Sequence, residues 1–353
     1  MKKDVCIPTL FLALCLCMVM AVPTFAADEV TNEPLENTTV EVNGYSFEIQ
    51  EKVDEDFTIV RTYVNPDAQL MMVNDDLDKA KALLIALGMD EESLALWTDE
   101  TILTVANSEK VTISDSYYEI NDNKNTVTQI PADIAIREAE ILANEQMDSF
   151  IRDSINVQEN GIEPLKGTLY ETSFIRVYHL VSYMGNAKYL FSTDSLWLTM
   201  PAFRDFDSLG SCAQLTTATP NTNIGSWSYD MTTVIDGQTE NKRVNSTKFV
   251  DSGLENNGGW AGAAGVFRLP SSTYSNDGNS IKCDNFRAHY EYQGKMNSAG
   301  MSNQNFNSKG TYSHTTVRIG FTPSFSIEGG NIGVDVTPAP KYYTAWVEEN
   351  YPG

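Results

Sequence analysis

Beyond residue 167 the sequence holds no convincing helical period. Short runs alternate apolar and polar residues and are broken every few positions by Gly, Asn, Ser or Pro. Alternation with period two puts successive side chains on opposite faces of a pleated strand, so this half of the chain can bury its apolar residues only in sheets. "FIRVYHLVSYMGNAKYLFSTDSLWL", residues 174–198, reads as a hairpin apolar enough on both faces to lie centrally. "SFSIEGGNIGVDV" reads as another, turning at Gly329-Gly330-Asn331 with Phe325 and Ile327 opposite Ile332, Val334 and Val336. Residues 168–353 are therefore expected to be an all-β domain, a β-sandwich with a barrel as the alternative.

The preceding half changes period. "TTVEVNGYSFEIQ" gives two alternating strands around Asn43-Gly44, a strong hairpin signal, and "FTIVRTYV" and "AQLMMV" give two more. From Leu77 the apolar residues Leu77, Ala80, Leu83, Leu84 and Leu87 recur at helical spacing. Asp75 or Asp76 suits the cap at its start and Gly88 the C′ position. A short helix is expected from Asp90, a hairpin over "SDSYYEINDNKNTVTQIP", and an amphipathic helix over 132–155 with Ile134, Ile141, Leu142, Phe150, Ile151 and Ile155 near one stripe. Together these predict an acidic α+β domain over 38–157, preceded by a disordered leader at 27–37. "QENGIEPLKG", 158–167, predicts a linker to the all-β domain.

Charge steps at the same place. Residues 27–165 carry 31 acidic against 8 basic side chains, residues 166–353 carry 16 against 14, and the whole chain has a formal charge of −24. Such a chain repels nucleic acid, and anionic membrane surfaces for the same reason.

The first 26 residues have the three-part form of an export signal, Lys2 and Lys3 before an apolar run from Ile7 to Val22 and then small residues, with cleavage expected after Ala26. The run is shorter than the ~20 apolar residues of a membrane span, and no stable span is expected after cleavage. A secreted, extracellular protein follows. Removing the signal leaves Cys212 and Cys283, which permit one disulfide worth about 4 kcal/mol in an oxidising compartment.

Catalytic equipment is sparse. His289 and His314 fall on polar strand faces and are expected at the surface, whereas His179 shares a face with Ile175, Val177 and Val181 and is expected to be hydrogen-bonded in the core. There is no G-x-S-x-G elbow and no H-E-x-x-H. Asp194, Asp205, Asp207 and Asp230 are the carboxylates from which a hydrolytic pair would be drawn. "NDDLD", "NDNKN" and "SNDGN" offer oxygens without completing an EF-hand spacing, so no metal site and no cofactor are expected.

"ENNGGWAGAAGVFRLP", 255–270, carries Gly259, Gly262 and Gly265. No helix follows to complete a phosphate cradle, and the alternation is too short for a membrane-inserting hairpin. Close strand packing is the reading adopted, with Trp260, Asn256 and Asn257 as a ligand-facing loop. Tryptophan faces stack on sugars and amide side chains bond hydroxyls, so the expected function is non-enzymatic binding of a glycan or protein outside the cell. The alternatives are a secreted carboxylate-dependent hydrolase and, after it, a pore-forming protein.

Overall fold

The computed structural model describes residues 36–66, 76–122, 124, 126–160, 172–202, 204–235, 238–257, 259–275, 279–297, 305–314, 325–328, 331–334 and 341–350. The expected signal, nearly all of the leader, the "AQLMMV" strand and most of the linker lie outside them.

Strands β1 (Glu36–Val42) and β2 (Tyr45–Val53) form the first expected hairpin. Asn43 and Gly44 both take positive φ, 53° and 83°, the type I′ geometry that matches strand twist. β3 (Ile59–Val64) follows, then helix α1 (Leu77–Ala86). Asp76 caps α1 by accepting from the Lys79 N–H, and Gly88 at φ 98° leaves it as expected. α2 (Glu91–Leu94) starts at the Asp90 cap, and α3 (Asp99–Ala106), which the sequence reading missed, starts at Thr98. β4 (Lys110–Asn121) and β5 (Thr126–Ile130) form a hairpin that leads into α4 (Ala132–Asn160).

The second half supplies β6 (Thr172–Tyr183), β7 (Lys188–Thr199), β8 (Phe206–Gln214), β9 (Thr216–Ala218), β10 (Ile224–Ile235) and β11 (Gln238–Ser246). β12 (Asp251–Asn257), β13 (Trp260–Arg268), β14 (Ser280–Met296), β15 (Asn305–His314) and β18 (Lys341–Asn350) follow, with the expected small hairpin β16 (Phe325–Glu328) and β17 (Asn331–Val334) before the last.

All strand pairing is antiparallel, in two large sheets. The longer runs β1-β2-β3-β4-β6-β7-β14-β10-β11, with β5 beside β4 and β9 beside β14; the shorter runs β12-β13-β8-β15-β18. The sheets face each other as a sandwich. Ile175, Val177, Phe191, Trp197, Phe286 and Tyr290 of the long sheet meet Leu209, Ala213, Ala261, Ala263, Phe267 and Tyr312 of the short one.

The expected separation into an α+β domain and an all-β domain is not what the strands show. β4, from the acidic half, pairs with β6 from Lys110↔Tyr183 to Asn121↔Thr172, so one sheet runs through the charge step. Residues 36–353 form one compact unit. The helices α1 to α3 lie on the far side of the long sheet from the sandwich, where Ala80, Leu83, Leu84, Ile102 and Val105 pack on Ile113, Tyr178, Leu180 and Leu190. The molecule is thus layered as helix, sheet, sheet, and β6 is buried on both faces because each half of the sequence covers the other.

Helix α4 buries part of the expected stripe, Phe150 and in part Leu142, and adds small residues to it. Ala135, Ala139, Phe150 and Val157 are buried, whereas Ile134, Ile136 and Ile141 are 37%, 49% and 51% exposed. Small residues at 135 and 139 let the helix come close to Tyr117 and Phe174, and that packing overrides side-chain size.

Glycine sets the sheet separation. A methyl on Gly265 of β13 would stand 2.6 Å from atoms of both Phe249 and Tyr290, and one on Gly310 of β15 would stand 2.6 Å from Thr193 Oγ1 and 2.8 Å from His179 Cβ. Overpacking of this kind costs about 1–3 kcal/mol, so Gly310→Ala should lower the urea midpoint with an unchanged m-value. An unshifted midpoint would mean that the sheets can part there.

Candidate functional site

The nominated loop is the β12–β13 turn. Asn257 pairs with Trp260 across it, Gly259 takes φ 86°, and the Leu215 N–H donates to the Gly259 carbonyl at 2.9 Å. Trp260 opens β13 on the outer face of the short sheet, partly buried against Cys212 and Ala264. Asn256 is exposed, yet its Oδ1 accepts the Ala218 N–H at 2.9 Å and ties β12 to β9. The Asn257 side chain lies outside the described residues. The indole and the exposed amide therefore lie on opposite faces of the short sheet at this turn, since Asn256 pairs with the inward-facing Ala261. From Ala261 to Phe267 β13 is buried between β12 and β8; close packing holds at Gly265, against Phe249 and Tyr290, whereas a methyl on Gly259 would meet nothing within 4 Å.

The expected Cys212–Cys283 bridge does not form. Cys212 belongs to β8 of the short sheet and points to its outer face, since Ser211 and Ala213 point inward. Cys283 belongs to β14 of the long sheet, where its Sγ lies 3.6 Å from the Ser271 carbonyl. The sandwich holds the two side chains apart. Burial pushes the Cys212 thiol up to about 12, so it stays protonated.

Two histidines expected at the surface are sealed inside. His289 is 1% exposed, and its Nδ1 lies 3.1 Å from Asp194 Oδ1 and 3.3 Å from Ser192 Oγ. Its Nε2 lies 3.2 Å from Glu291 Oε2. The α3 side closes over it: Trp97 Nε1 donates to Asp194 Oδ1 at 3.0 Å, Thr101 Oγ1 donates to Glu291 Oε1 at 2.8 Å, and the Trp97 ring packs 4.7 Å from the imidazole. Burial alone would push His289 down, but Asp194, and after it Glu291, hold it up at about 10, an imidazolium between two carboxylates. The polar face of β14 is polar because it faces these partners under the helices, a layer that strand alternation alone cannot distinguish from solvent.

His314 is fully buried in the sandwich, with Nδ1 3.0 Å from Asp207 Oδ1, and Tyr312 donates to the other Asp207 oxygen while accepting from Trp197 Nε1 at 2.7 Å. His179 is in the core, hydrogen-bonded as expected. Its Nδ1 meets the Ser192 carbonyl at 2.8 Å and its Nε2 the Ser308 hydroxyl at 2.7 Å. Burial holds it down at about 3, neutral.

The four candidate carboxylates do not converge. Asp194 is in the helix-side layer and Asp207 in the sandwich layer, Asp230 is held by Arg243 at 2.9 Å, and Asp205 by Arg268 at 3.2 Å. An open depression of about 600 Å³ lined by Glu100, Leu103, Thr104, Asn107, Ser108 and Met184 carries one carboxylate and no histidine. Among the described residues no group of three or more His, Cys, Asp or Glu is arranged to hold a metal, and no helix is long and apolar enough to cross a membrane.

The sequence reading missed an ionic seam between α2 and the long sheet. Asp90 lies 3.9 Å from Arg176 and 3.7 Å from Arg287, while Glu92 pairs with Arg287 and, at 3.0 Å, with Arg243. Its one signal is Arg176 and Arg287 on strands otherwise too apolar to face water; Arg243 is on the polar, mostly exposed β11 and gives none.

No protein-family model matches the sequence, and no curated protein matches it. Solved structures similar to parts of the chain include ACE19, the collagen binding subdomain of the Enterococcus faecalis surface protein ACE, at 9% identity over 47% of this chain and 90% of that one, TM-score 0.18. AvmM, which catalyses macrocyclization in alchivemycin A biosynthesis, matches at 8% identity over 46% and 82%, TM-score 0.17. The C-terminal domain of the Streptococcus pyogenes antigen I/II-family protein AspA matches at 9% identity over 89% and 98%, TM-score 0.19. At such scores and identities the overlays carry no inference about fold or activity.

Proposed function

We propose that the protein is an exported, non-enzymatic binding protein that presents the β12–β13 turn, with Trp260 and Asn256, to a glycan or protein outside the cell. One observation carries this reading: the histidines and their carboxylate partners are spent on sealed internal pairs, while the turn leaves an aromatic edge and an amide within reach of solvent. A partly exposed indole at a turn suits stacking on a sugar ring or seating in a protein pocket. Export follows from the form of residues 1–26.

The test is binding of the full chain to a glycan array and to a panel of extracellular matrix proteins. Trp260→Ala should weaken the strongest interaction by about 2 kcal/mol, roughly thirtyfold in Kd, with little change in melting temperature. Binding that survives the substitution would remove Trp260 from the account. Turnover of a polysaccharide or peptide by the wild type would overturn the non-enzymatic reading.

A further inference from the structure

The edges of the two large sheets meet water in different ways. β1 carries Glu41, β11 carries Glu240, Lys242 and Arg243, and β12 carries Asp251 and Glu255. Charge on an edge strand keeps other chains from pairing with it. β5, with the sequence TVTQI, carries none.

β5 pairs with β4 and with no other described strand. β3 occupies the same edge of β4 further along, and β2 pairs in turn with β3. The row that β2 fills beside β3 holds no described strand beside β5. Gln129 of β5 donates to Thr58 Oγ1 at 2.9 Å, so this row runs into the β2–β3 turn.

That turn is built for display. Asp54 Oδ1 accepts the N–H groups of Asp56 at 3.0 Å and Thr58 at 2.8 Å, and the Phe57 N–H donates to the Asp54 carbonyl at 3.1 Å. Phe57 is held at φ 63°, a left-handed conformation unusual for an aromatic residue, and is 44% exposed. Val53 at 57% and Val127 at 37% are exposed beside the same row, and Asp54, Glu55 and Asp56 are exposed at its end.

We propose that the open edge of β5 receives, by strand addition, an extended segment of a partner polypeptide that alternates small apolar and polar residues and carries a basic residue where it meets Asp54, Glu55 and Asp56. Main-chain bonds to β5 give the attachment, and Val127, on the sandwich-facing side that its partner Ile120 shares, gives apolar contact, with Val53 exposed on the opposite face and Phe57 at the turn. A second copy of this chain is disfavoured as the occupant. Two chains of formal charge −24 repel, and a five-residue pairing is far from the ~1,200 Å² of a stable interface between folded proteins. The proposal deepens the binding reading but uses the Thr172 end of β6, whereas the Trp260 turn is near the Met296 end of β14, which meets Ala187. Either can fail while the other stands.

The probe is a labelled synthetic peptide of alternating valine and threonine with lysine at both ends, set against the same peptide ended by glutamate. Fluorescence anisotropy with the full chain should show binding of the lysine-ended peptide only. Amide exchange should slow within Thr126–Ile130. Val127→Lys and Glu55→Lys, both at exposed positions, should each weaken binding by about fivefold without lowering the melting temperature, and Val127→Thr should retain it. Absence of binding, equal binding by Val127→Lys, or protection elsewhere would overturn the proposal. So would self-association of the peptide-free chain that Val127→Lys abolishes, because the edge would then serve a second copy.

Discussion

Replacing His289 with leucine should lower the stability of the chain by about 3–5 kcal/mol in urea denaturation, because it leaves two buried carboxylates without their cation. Asp194 and Glu291 are each within reach of the ring and 1% and 3% exposed. Trp97, Ser192 and Thr101 continue to donate to them but bring no charge. Adding Asp194→Asn and Glu291→Gln to the leucine variant should recover much of the loss, since removing a whole buried ion cluster costs far less than breaking one. A loss below about 1 kcal/mol for the single variant would show that the cluster relaxes to solvent and that the helix layer is looser than its packing suggests.

The same residue sets the alkaline limb of stability. His289 is raised to about 10 in the folded chain against about 6.5 unfolded. Its contribution is therefore complete below pH ~6.5 and is lost as pH rises toward 10. His179 behaves in the opposite sense: lowered to about 3 by burial, it leaves the unfolded chain to bind the extra proton, so stability falls as pH drops from ~6.5 toward 3. Between pH 7 and 8, below the titration of cysteine and tyrosine in the unfolded chain, the wild type should lose at most about 1.4 kcal/mol per pH unit, and His289→Leu should be nearly flat. The acid limb should survive in that variant. Equal alkaline slopes in the two proteins would mean that His289 is not the imidazolium its surroundings require.

Local chemistry was legible in the sequence and layering was not. Asn43-Gly44, Asp76 and Gly88 act within a few residues of themselves, so a type I′ turn, an N-cap and a helix end could be read directly. The central β6–β7 hairpin was legible too, because a strand apolar on both faces must be covered on both. What covers it was not, since the helices lie in the other half of the sequence. For that reason Arg287, His289 and Glu291 looked like a solvent face of β14. The charge step near residue 165 similarly looked like two solvation regimes. In the fold a small part of it is complementarity: Asp90, Glu92 and Asp115 come from the acidic half, while Arg176, Arg243 and Arg287 come from the other. Of the nominated site, Trp260 and Asn256 are at one turn but on opposite faces of the short sheet, and the disulfide required two positions whose separation depends on which sheet each strand joins.

Arg176→Met should be about as damaging as the loss of His289, and it tests whether the two halves fold together. Arg176 Nε and Nη2 reach the two Asp115 oxygens at 2.8 and 2.7 Å, Nη2 also donates to the Gly88 carbonyl at 2.5 Å, and the guanidinium lies 5.5 Å from the Tyr117 ring and 4.8 Å from that of Tyr178. Removing the cation strands Asp115, which is 1% exposed and keeps only the weaker contact with Arg61 at 3.8 Å, so about 3–5 kcal/mol is expected. Arg176→Lys keeps the charge but not the fork and should be intermediate; Arg176→Met with Asp115→Leu should be milder than Arg176→Met alone. Because Asp115 is on β4 and Arg176 on β6, the shape of the transition discriminates more than its midpoint. A single transition that shifts as a whole, by circular dichroism and by the fluorescence of Trp97 and Trp197 alike, is expected of one cooperative sheet. Two separated transitions would restore an independent acidic domain, with the β4–β6 ladder a contact between folded parts.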